Sequence, residues 1–185
     1  MIDEILLETE EKMDKAIEVA KEEFSAIRTG RANPALFSKL VADYYGAPTP
    51  LQQLASFAIP EARTVVISPF DKTAIAAIEK SLRDSDLGVN PTSDGNVIRV
   101  SLPALTEERR KEYVKLAKIK AEEGRVSVRA VRRKAKDSLD KLEKDGDAGE
   151  DDVARAEKEL EALTKAHVDQ IDVLLAGKEK ELLEV

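Results

Sequence analysis

The main pattern along the chain is a helical repeat of small and apolar residues. From Thr106 to about Lys144 these residues recur in steps of three and four, which keeps them on one side of a helix. No proline interrupts the segment, Thr106 can cap the first turn, and Glu107 and Glu108 lie where the helix dipole favours acids. The pattern predicts one helix about 55–60 Å long, which needs partner helices. The repeating positions are Tyr113, Ala117, Ala121, Gly124, Val128, Val131, Ala135, Leu139 and Leu142.

Two further segments carry the same repeat and can supply those partners. One runs from the N-terminus to roughly Arg28, and the other from about Glu150 to Leu183. Together the three segments predict a bundle of three long helices. The apolar positions of the first are Ile2, Leu6, Met13, Ala16, Ile17, Ala20, Phe24 and Ile27. Those of the last are Val153, Ala156, Leu160, Leu163, His167, Ile171, Leu174 and Leu182.

The middle of the chain has a different pattern. All seven prolines lie between Asn33 and Ala104, and short segments of β-branched and aromatic residues replace the helical repeat. They predict strands at 36–45, 53–59, 63–68 and 97–102. Residues 46–50 are predicted to end the first strand, and residues 93–96, which follow Asn90 and Pro91, to form a turn. A helix is predicted after Asp71, which can cap it, and Leu87 and Gly88 are predicted to stop it.

The predicted fold class is therefore α+β, with two domains. Residues 1–30 and 105–185 form a three-helix bundle, and residues 31–104 form a small inserted β/α/β domain. The chain passes between the domains twice, and such a double connection can act as a hinge with restricted directions. The predicted hinge residues are Thr29, Gly30, Arg31, Pro103, Ala104 and Leu105.

The central helix also has a charged side. Residues 106–136 contain 12 Lys or Arg and five Asp or Glu, a net charge of +7, whereas the whole chain carries −7. This distribution favours binding to a polyanion such as nucleic acid. The alternative is a solvated surface neutralised by acids on neighbouring helices. The cations that share this side, called the arginine face below, are Arg125, Arg129, Arg132, Arg133 and Lys136.

Composition argues against most catalytic chemistry. The chain has no cysteine, which excludes disulfides and thiolate sites and permits a reducing compartment. The single histidine, His167, lies on an apolar seam and is interpreted as a packing residue. The acidic segment 145–152 resembles a calcium loop, but Glu150 replaces the required glycine and Ala156 the bidentate glutamate. No catalytic residue, metal site or cofactor is predicted.

No membrane or targeting segment is predicted either. The N-terminus has no basic region, and no apolar run approaches about 18 residues. The chain is therefore expected to be a soluble, cytoplasmic protein.

Several motifs in order resemble those of the bacterial ribosome recycling factor family, over essentially the full length. Such a series is highly specific. The motifs are residues 27–34 (IRTGRANP), 44–51 (YYGAPTPL) with 53–55 (QLA), 85–91 (SDLGVNP), 98–100 (IRV), 105–111 (LTEERRK), and 128–129 (VR) with 131–133 (VRR).

The resemblance implies an L-shaped molecule with the helical bundle as its long arm. It also implies a function: after termination, the factor binds the ribosome that still holds mRNA and a deacylated tRNA, and with elongation factor G it splits the subunits. The partner factor hydrolyses the GTP, so that this chain needs no catalytic site.

The resemblance also implies a binding site. Family members place Arg132, with Arg129, Arg28 and Arg31 nearby, against large-subunit rRNA, and their α/β arm is mobile about the hinge where elongation factor G pushes. The predicted RNA-binding residues of this chain are Arg132, Arg129, Arg28, Arg31, Arg133, Arg110 and Arg125.

Two other classes of function stay open on the residues alone. The first is a coiled-coil structural or adaptor protein whose basic face binds RNA. Sedimentation distinguishes this adaptor from a recycling factor, because the intramolecular bundle of a recycling factor is expected to be a monomer, whereas an adaptor forms a stable dimer. The second is an enzyme, which would need activity that survives removal of His167.

Overall fold

The structure, a computed structural model, describes residues 1–184. Over this range the chain forms five α-helices, six β-strands and two 3₁₀ turns, at Pro34–Phe37 and Lys72–Ala74. The predicted α+β class is confirmed. The helices are α1 (Ile2–Ser25), α2 (Leu51–Leu54), α3 (Ile75–Arg83), α4 (Glu107–Lys144) and α5 (Glu150–Leu183). The strands are β1 (Val41–Tyr44), β2 (Ala47–Pro50), β3 (Ala55–Glu61), β4 (Thr64–Pro69), β5 (Asn90–Ser93) and β6 (Ile98–Ser101).

The chain divides into two compact units. The first contains Met1–Phe24 and Val114–Lys180, and the second contains Ser25–Tyr113 and the chain from Glu181. All six predicted hinge residues lie within the second unit. The domain limits inferred from the sequence, at residues 30 and 105, stay a prediction.

The first unit is a bundle of three helices that meet through small residues. A Cβ atom on Gly124 of α4 would lie 3.1 Å from Ile171 Cδ1 of α5 and 3.6 Å from Ala20 Cβ of α1. A salt bridge of 3.4 Å joins Glu23 of α1 to Lys120 of α4. Residue numbers rise on α1 as they fall on α4, so these two helices are antiparallel. The absence of a side chain at Gly124 thus allows the three helices to approach closely.

His167 lies inside this bundle, as its position on the seam predicted. Its side chain is buried, with Nδ1 2.7 Å from the Leu163 carbonyl oxygen and Nε2 2.6 Å from Asp14 Oδ1. A carbonyl cannot donate a hydrogen bond, so Nδ1 carries a proton. The imidazole therefore connects α5 to α1, and both of its nitrogens form hydrogen bonds within the bundle.

The ends of the long helices follow the local sequence. The Arg109 backbone N–H donates to Thr106 Oγ1 at 3.1 Å, which confirms the predicted cap of α4. At its other end, Gly146 adopts a φ of +75°, and the N–H groups of Gly146 and Asp147 donate to carbonyls of the last turn. The acidic segment is therefore a helix connection. Helix α1 ends at Ser25, earlier than Arg28, the end that its apolar pattern indicated.

The second unit contains a four-stranded antiparallel sheet in the order β3-β4-β6-β5, a β1–β2 hairpin, and α3, which contacts β1 and β5. Alternate residues of β4 and β6 enter one core with the apolar side of α3. Phe37 stacks on Phe57 with ring centroids 5.4 Å apart. The main core residues are Phe37, Leu51, Val65, Ile67, Ile78, Leu82, Ile98 and Val100.

Two of the predicted strands were placed incorrectly. The predicted strand 36–45 is extended only from Val41, and its first two residues belong to the 3₁₀ turn Pro34–Phe37. That turn forms because Asn33 Oδ1 accepts from the Ala35 N–H at 3.0 Å and Pro34 begins it. The predicted strand 53–59 begins at Ala55, since Leu51 and Leu54 are both buried by one helical turn before it.

Two strands were missed because each contains proline. The segment predicted to end the first strand is β2, and the segment that leads into the predicted turn is β5. Each has only one strand neighbour, β2 beside β1 and β5 beside β6. A proline on an edge strand leaves no ladder hydrogen bond unmade.

The hairpin turn depends on two residues with positive φ. Tyr45 has a φ of +51° and Gly46 of +82°, as a type I′ turn requires. The adjacent Tyr44 hydroxyl donates to Asp71 Oδ2 at 2.6 Å, which raises the pKa of Tyr44 to about 12. Asp71 also accepts from the Thr73 N–H, as the predicted cap. One carboxylate therefore fixes the hairpin to the turn that leads into α3.

We predict that replacing glycine by alanine stabilises the protein at one helical position but not at another. Gly177→Ala should raise the free energy of unfolding by about 0.5–1 kcal/mol, because an added Cβ has nothing within 4 Å and alanine favours the helix. Gly124→Ala should lose that gain, because its Cβ would press on the buried Ile171. Denaturant unfolding followed by circular dichroism measures both. An equal gain at Gly124 would contradict the close packing described here.

Candidate nucleic-acid interface

The arginine face lies in the first unit, on the side of α4 that borders α5. Three of its cations form ion pairs with acids of α5. Arg125 Nη2 lies 2.6 Å from Asp172 Oδ1, and Arg132 Nη1 lies 2.7 Å from Glu161 Oε1. Lys136 Nζ lies 3.9 Å from Glu157 Oε1. Residue numbers rise along α4 as they fall along α5, so the pairs form a ladder between antiparallel helices.

The other two arginines of the face are more open to solvent. Arg129 Nη1 is 3.5 Å from Glu122 Oε1 on its own helix, and its side chain is 51% exposed. Arg133 is exposed, and within residues 1–184 it has no ion-pair partner. The neutralisation by a neighbouring helix that the second interpretation expected is therefore found for three cations, and binding of a polyanion by this face stays a prediction. Some cations are neutralised by a neighbouring helix, and others face solvent.

Hydrogen bonds across the ladder shift several ionisation equilibria. The hydrogen bond to Asp172 raises the pKa of Arg125, which is charged at any physiological pH in any case. The Asp140 carboxyl is close enough to Glu157 to raise the pKa of Glu157, while its hydrogen bond with Lys136 lowers the pKa of Asp140. The carboxylates of the ladder are 35–63% exposed, so solvent screens the pairs and each contributes little to stability.

The other predicted RNA-binding residues lie in the second unit. Arg28 is only 5% exposed, and its Nη2 donates to the Pro103 carbonyl oxygen. Burial lowers the pKa of its guanidinium. Its Nε and that of Arg110 are buried and have no hydrogen-bond partner among the described residues. Arg28 therefore has a structural role here, and its contact with RNA stays a prediction.

A cavity in the second unit brings three other arginines together. Arg31, Arg63 and Arg110 line a space of about 730 Å³, along with the hinge residues Thr29, Gly30, Ala104 and Leu105. Arg31 and Arg63 are exposed and Arg110 is half-buried. Arg63 was not predicted, because it is an isolated cation next to a strand in the sequence. The predicted residues thus fall into two groups, one in each unit.

The acids of the ladder were not predicted either. Glu157, Glu161 and Asp172, called the α5 acids below, lie at i, i+4 and i+15, so they share one side of their helix. The sequence shows this spacing, but it does not show that this side of α5 packs beside the cations of α4.

Residues 1–184 contain neither a metal-binding cluster nor a membrane-spanning helix. No group of three or more His, Cys, Asp or Glu side chains there could hold a metal ion. In the same range, no helix combines the length and the apolar character needed to cross a bilayer.

Comparisons with known proteins agree on one family. The family model described as Ribosome recycling factor matches residues 20–183. Ribosome-recycling factors of Beutenbergia cavernae, Paenarthrobacter aurescens and Streptomyces coelicolor are 71%, 69% and 65% identical to the chain over 185 residues. In each case the match covers all of both proteins.

Solved structures give the same result. The solution structure of a ribosome recycling factor has a TM-score of 0.76 at 44% identity and covers 100% of this chain and 98% of its own. A second has a TM-score of 0.68 at 44% identity and covers both chains fully. This second structure belongs to models for the T. thermophilus ribosome recycling factor and the E. coli elongation factor G bound to the E. coli post-termination complex.

The burial of the arginines predicts different effects on stability. Arg28→Ala should lower the free energy of unfolding by about 1–3 kcal/mol, because it removes the charge-assisted hydrogen bond that the buried Arg28 guanidinium donates to the Pro103 carbonyl. Arg133→Ala should change it by less than about 0.5 kcal/mol, since that side chain is exposed and unpaired. Urea unfolding measures both. An Arg28→Ala variant with the same free energy of unfolding as the parent protein would show that the contact with Pro103 does not stabilise the fold.

Proposed function

The chain belongs to the ribosome recycling factor family, and on that basis we propose that it binds the post-termination ribosome and, with elongation factor G, splits it into subunits. Splitting frees mRNA and tRNA for another round of translation. The family predicted from the sequence motifs is thereby confirmed. The chain acts as a translation factor, and GTP hydrolysis belongs to its partner.

The arginine face is the observation that best supports large-subunit rRNA as the binding partner. Arg129 and Arg133 are exposed on one side of a long rigid helix, and Arg132 lies next to them in an exchangeable ion pair. Contacts with phosphates give affinity that does not depend on base sequence. Such contacts suit docking onto one folded RNA surface that is recognised by its shape.

The remaining features of the proposal follow from this function. The protein acts in the cytoplasm, where ribosomes are, and needs no cofactor of its own. Its working domains are residues 1–30 with 105–185, and residues 31–104. The connections Thr29–Arg31 and Pro103–Leu105 serve as the hinge at which elongation factor G moves the smaller domain.

The coiled-coil adaptor is the weaker candidate. An adaptor needs an apolar seam that is free to pair with a second chain. In the first unit the seams of α1, α4 and α5 cover one another, and their residues Ala20, Gly124 and Ile171 meet. This packing favours a monomer.

Arg132→Ala should weaken binding to ribosomes by about tenfold, because it removes one charged hydrogen-bond donor to phosphate. The slope of log affinity against log salt concentration should fall by about 0.7–0.9. Ribosome pelleting across a salt series measures both quantities. Circular dichroism should show an unchanged helical signal.

Arg155→Ala is the matched control for this prediction. Arg155 is an exposed arginine on α5 whose nearest acid is Asp152 of its own helix, 3.6 Å away. Its loss changes the net charge equally but should leave affinity within about twofold. Equal effects of the two variants would contradict a specific role for Arg132.

Gly30→Pro should slow subunit splitting while leaving ribosome affinity within about twofold, because proline fixes φ and restricts the preceding residue. Light scattering with elongation factor G and GTP measures the splitting rate. Gly30→Ala is the control, since an added Cβ has nothing within 4 Å. Unimpaired splitting by the proline variant would remove the hinge from the mechanism.

A further inference from the structure

We propose that the α5 acids determine which RNA the arginine face accepts, and that Glu161 is the main determinant. The proposal rests on the proposed function in taking RNA as the ligand of the face. It adds a role in RNA binding for acidic residues, which repel phosphate groups and would not be expected to contact RNA.

The relative exposure of the paired groups gives the first argument. In the pair Arg132–Glu161 the side chains are 29% and 63% exposed, and in Arg125–Asp172 they are 20% and 50% exposed. In these two pairs the carboxylate is the more exposed partner, whereas in Lys136–Glu157 the cation is more exposed, at 47% against 35%. A phosphate that approaches Arg132 therefore meets the negative charge of Glu161 before it reaches the cation.

The position of Arg132 within the face gives the second argument. Arg129 and Arg133 flank it and are exposed, so any polyanion can reach them. Arg132 Nη1 is held by Glu161 at 2.7 Å and becomes available only when that carboxylate is displaced. Its contribution is thus withheld from a ligand that makes few contacts.

A folded RNA surface can displace the carboxylate where a flexible strand cannot. Exposed ion pairs are weak, so a phosphate held rigidly in place can take over the guanidinium at little cost. A folded surface presents several such phosphates at fixed positions, and its contacts form together. A flexible single strand loses conformational entropy with each contact, and the α5 acids also repel its phosphates. The α5 acids therefore suppress binding to generic polyanions more than binding to the ribosome.

The test compares Glu161→Gln with Glu159→Gln in the full chain. Glu159 lies two residues away on the same helix, is exposed, and has no ion-pair partner within residues 1–184. Both variants remove one negative charge, but only Glu161→Gln releases Arg132. Dissociation constants are measured for poly(U) and for purified ribosomes at several salt concentrations, and circular dichroism checks the fold.

Glu161→Gln should tighten poly(U) binding by about two- to fivefold, the size expected for the loss of a competing exposed ion pair. Its effect on ribosome affinity should be smaller, so the ratio of ribosome to poly(U) affinity falls. Glu159→Gln should change poly(U) binding by less than half as much. In an Arg132→Ala background the gain from Glu161→Gln should vanish, because there is no guanidinium to release.

Three results would overturn the inference. Equal gains for the two glutamine variants would mean that only net charge matters. Weaker ribosome binding by Glu161→Gln with unchanged poly(U) binding would make Glu161 a residue that positions Arg132. A gain that persists without Arg132 would exclude the pair as its source. If the parent protein fails to bind ribosomes, the proposed function fails instead, and the poly(U) comparison still decides the role of Glu161.

Discussion

The first unit depends on the close approach of three long helices through small residues. Gly124 has no side chain, and Ile171 and Ala20 occupy the space beside it. Larger residues at this point would separate the helices and remove the packing that stabilises each of them. Because α4 and α5 are fixed at this distance, the cations of one helix come within ion-pair distance of the acids of the other.

The ion-pair ladder between those helices reduces the number of cations that a polyanion can reach. A helix with a local charge of +7 would attract any polyanion without discrimination. In the structure three cations of the arginine face have a carboxylate from α5 nearby, and two are accessible. The surface is thus a mixture of available and withheld arginines. This arrangement favours a partner that makes many contacts at once over one that makes a few.

The second unit shows a different use of arginine and proline. Arg28 is buried and donates to the Pro103 carbonyl, so it stabilises the unit from within. Prolines stand on the edge strands β2 and β5, where a missing N–H costs nothing and where they discourage pairing with other chains. Both residue types suggested other roles in the sequence, arginine an RNA contact and proline a break between strands.

Local sequence determined the long helices, their caps and the family. The repeat of small and apolar residues predicted α4 and α5 almost to the residue, and Thr106 predicted the start of α4. These features could be predicted because a helix is set by contacts within a few residues, and because the family motifs are contiguous.

Tertiary structure decided which charges and strands are paired. Whether Arg132 faces solvent or Glu161 depends on the neighbour that α4 acquires, and those two residues are 29 positions apart. The strand character of β2 and β5 likewise came from their partners β1 and β6, against a local preference for turns. The buried Arg28 donates its hydrogen bond to Pro103, 75 positions away. Such pairings follow from the packing of distant segments, which the sequence pattern of one segment does not contain.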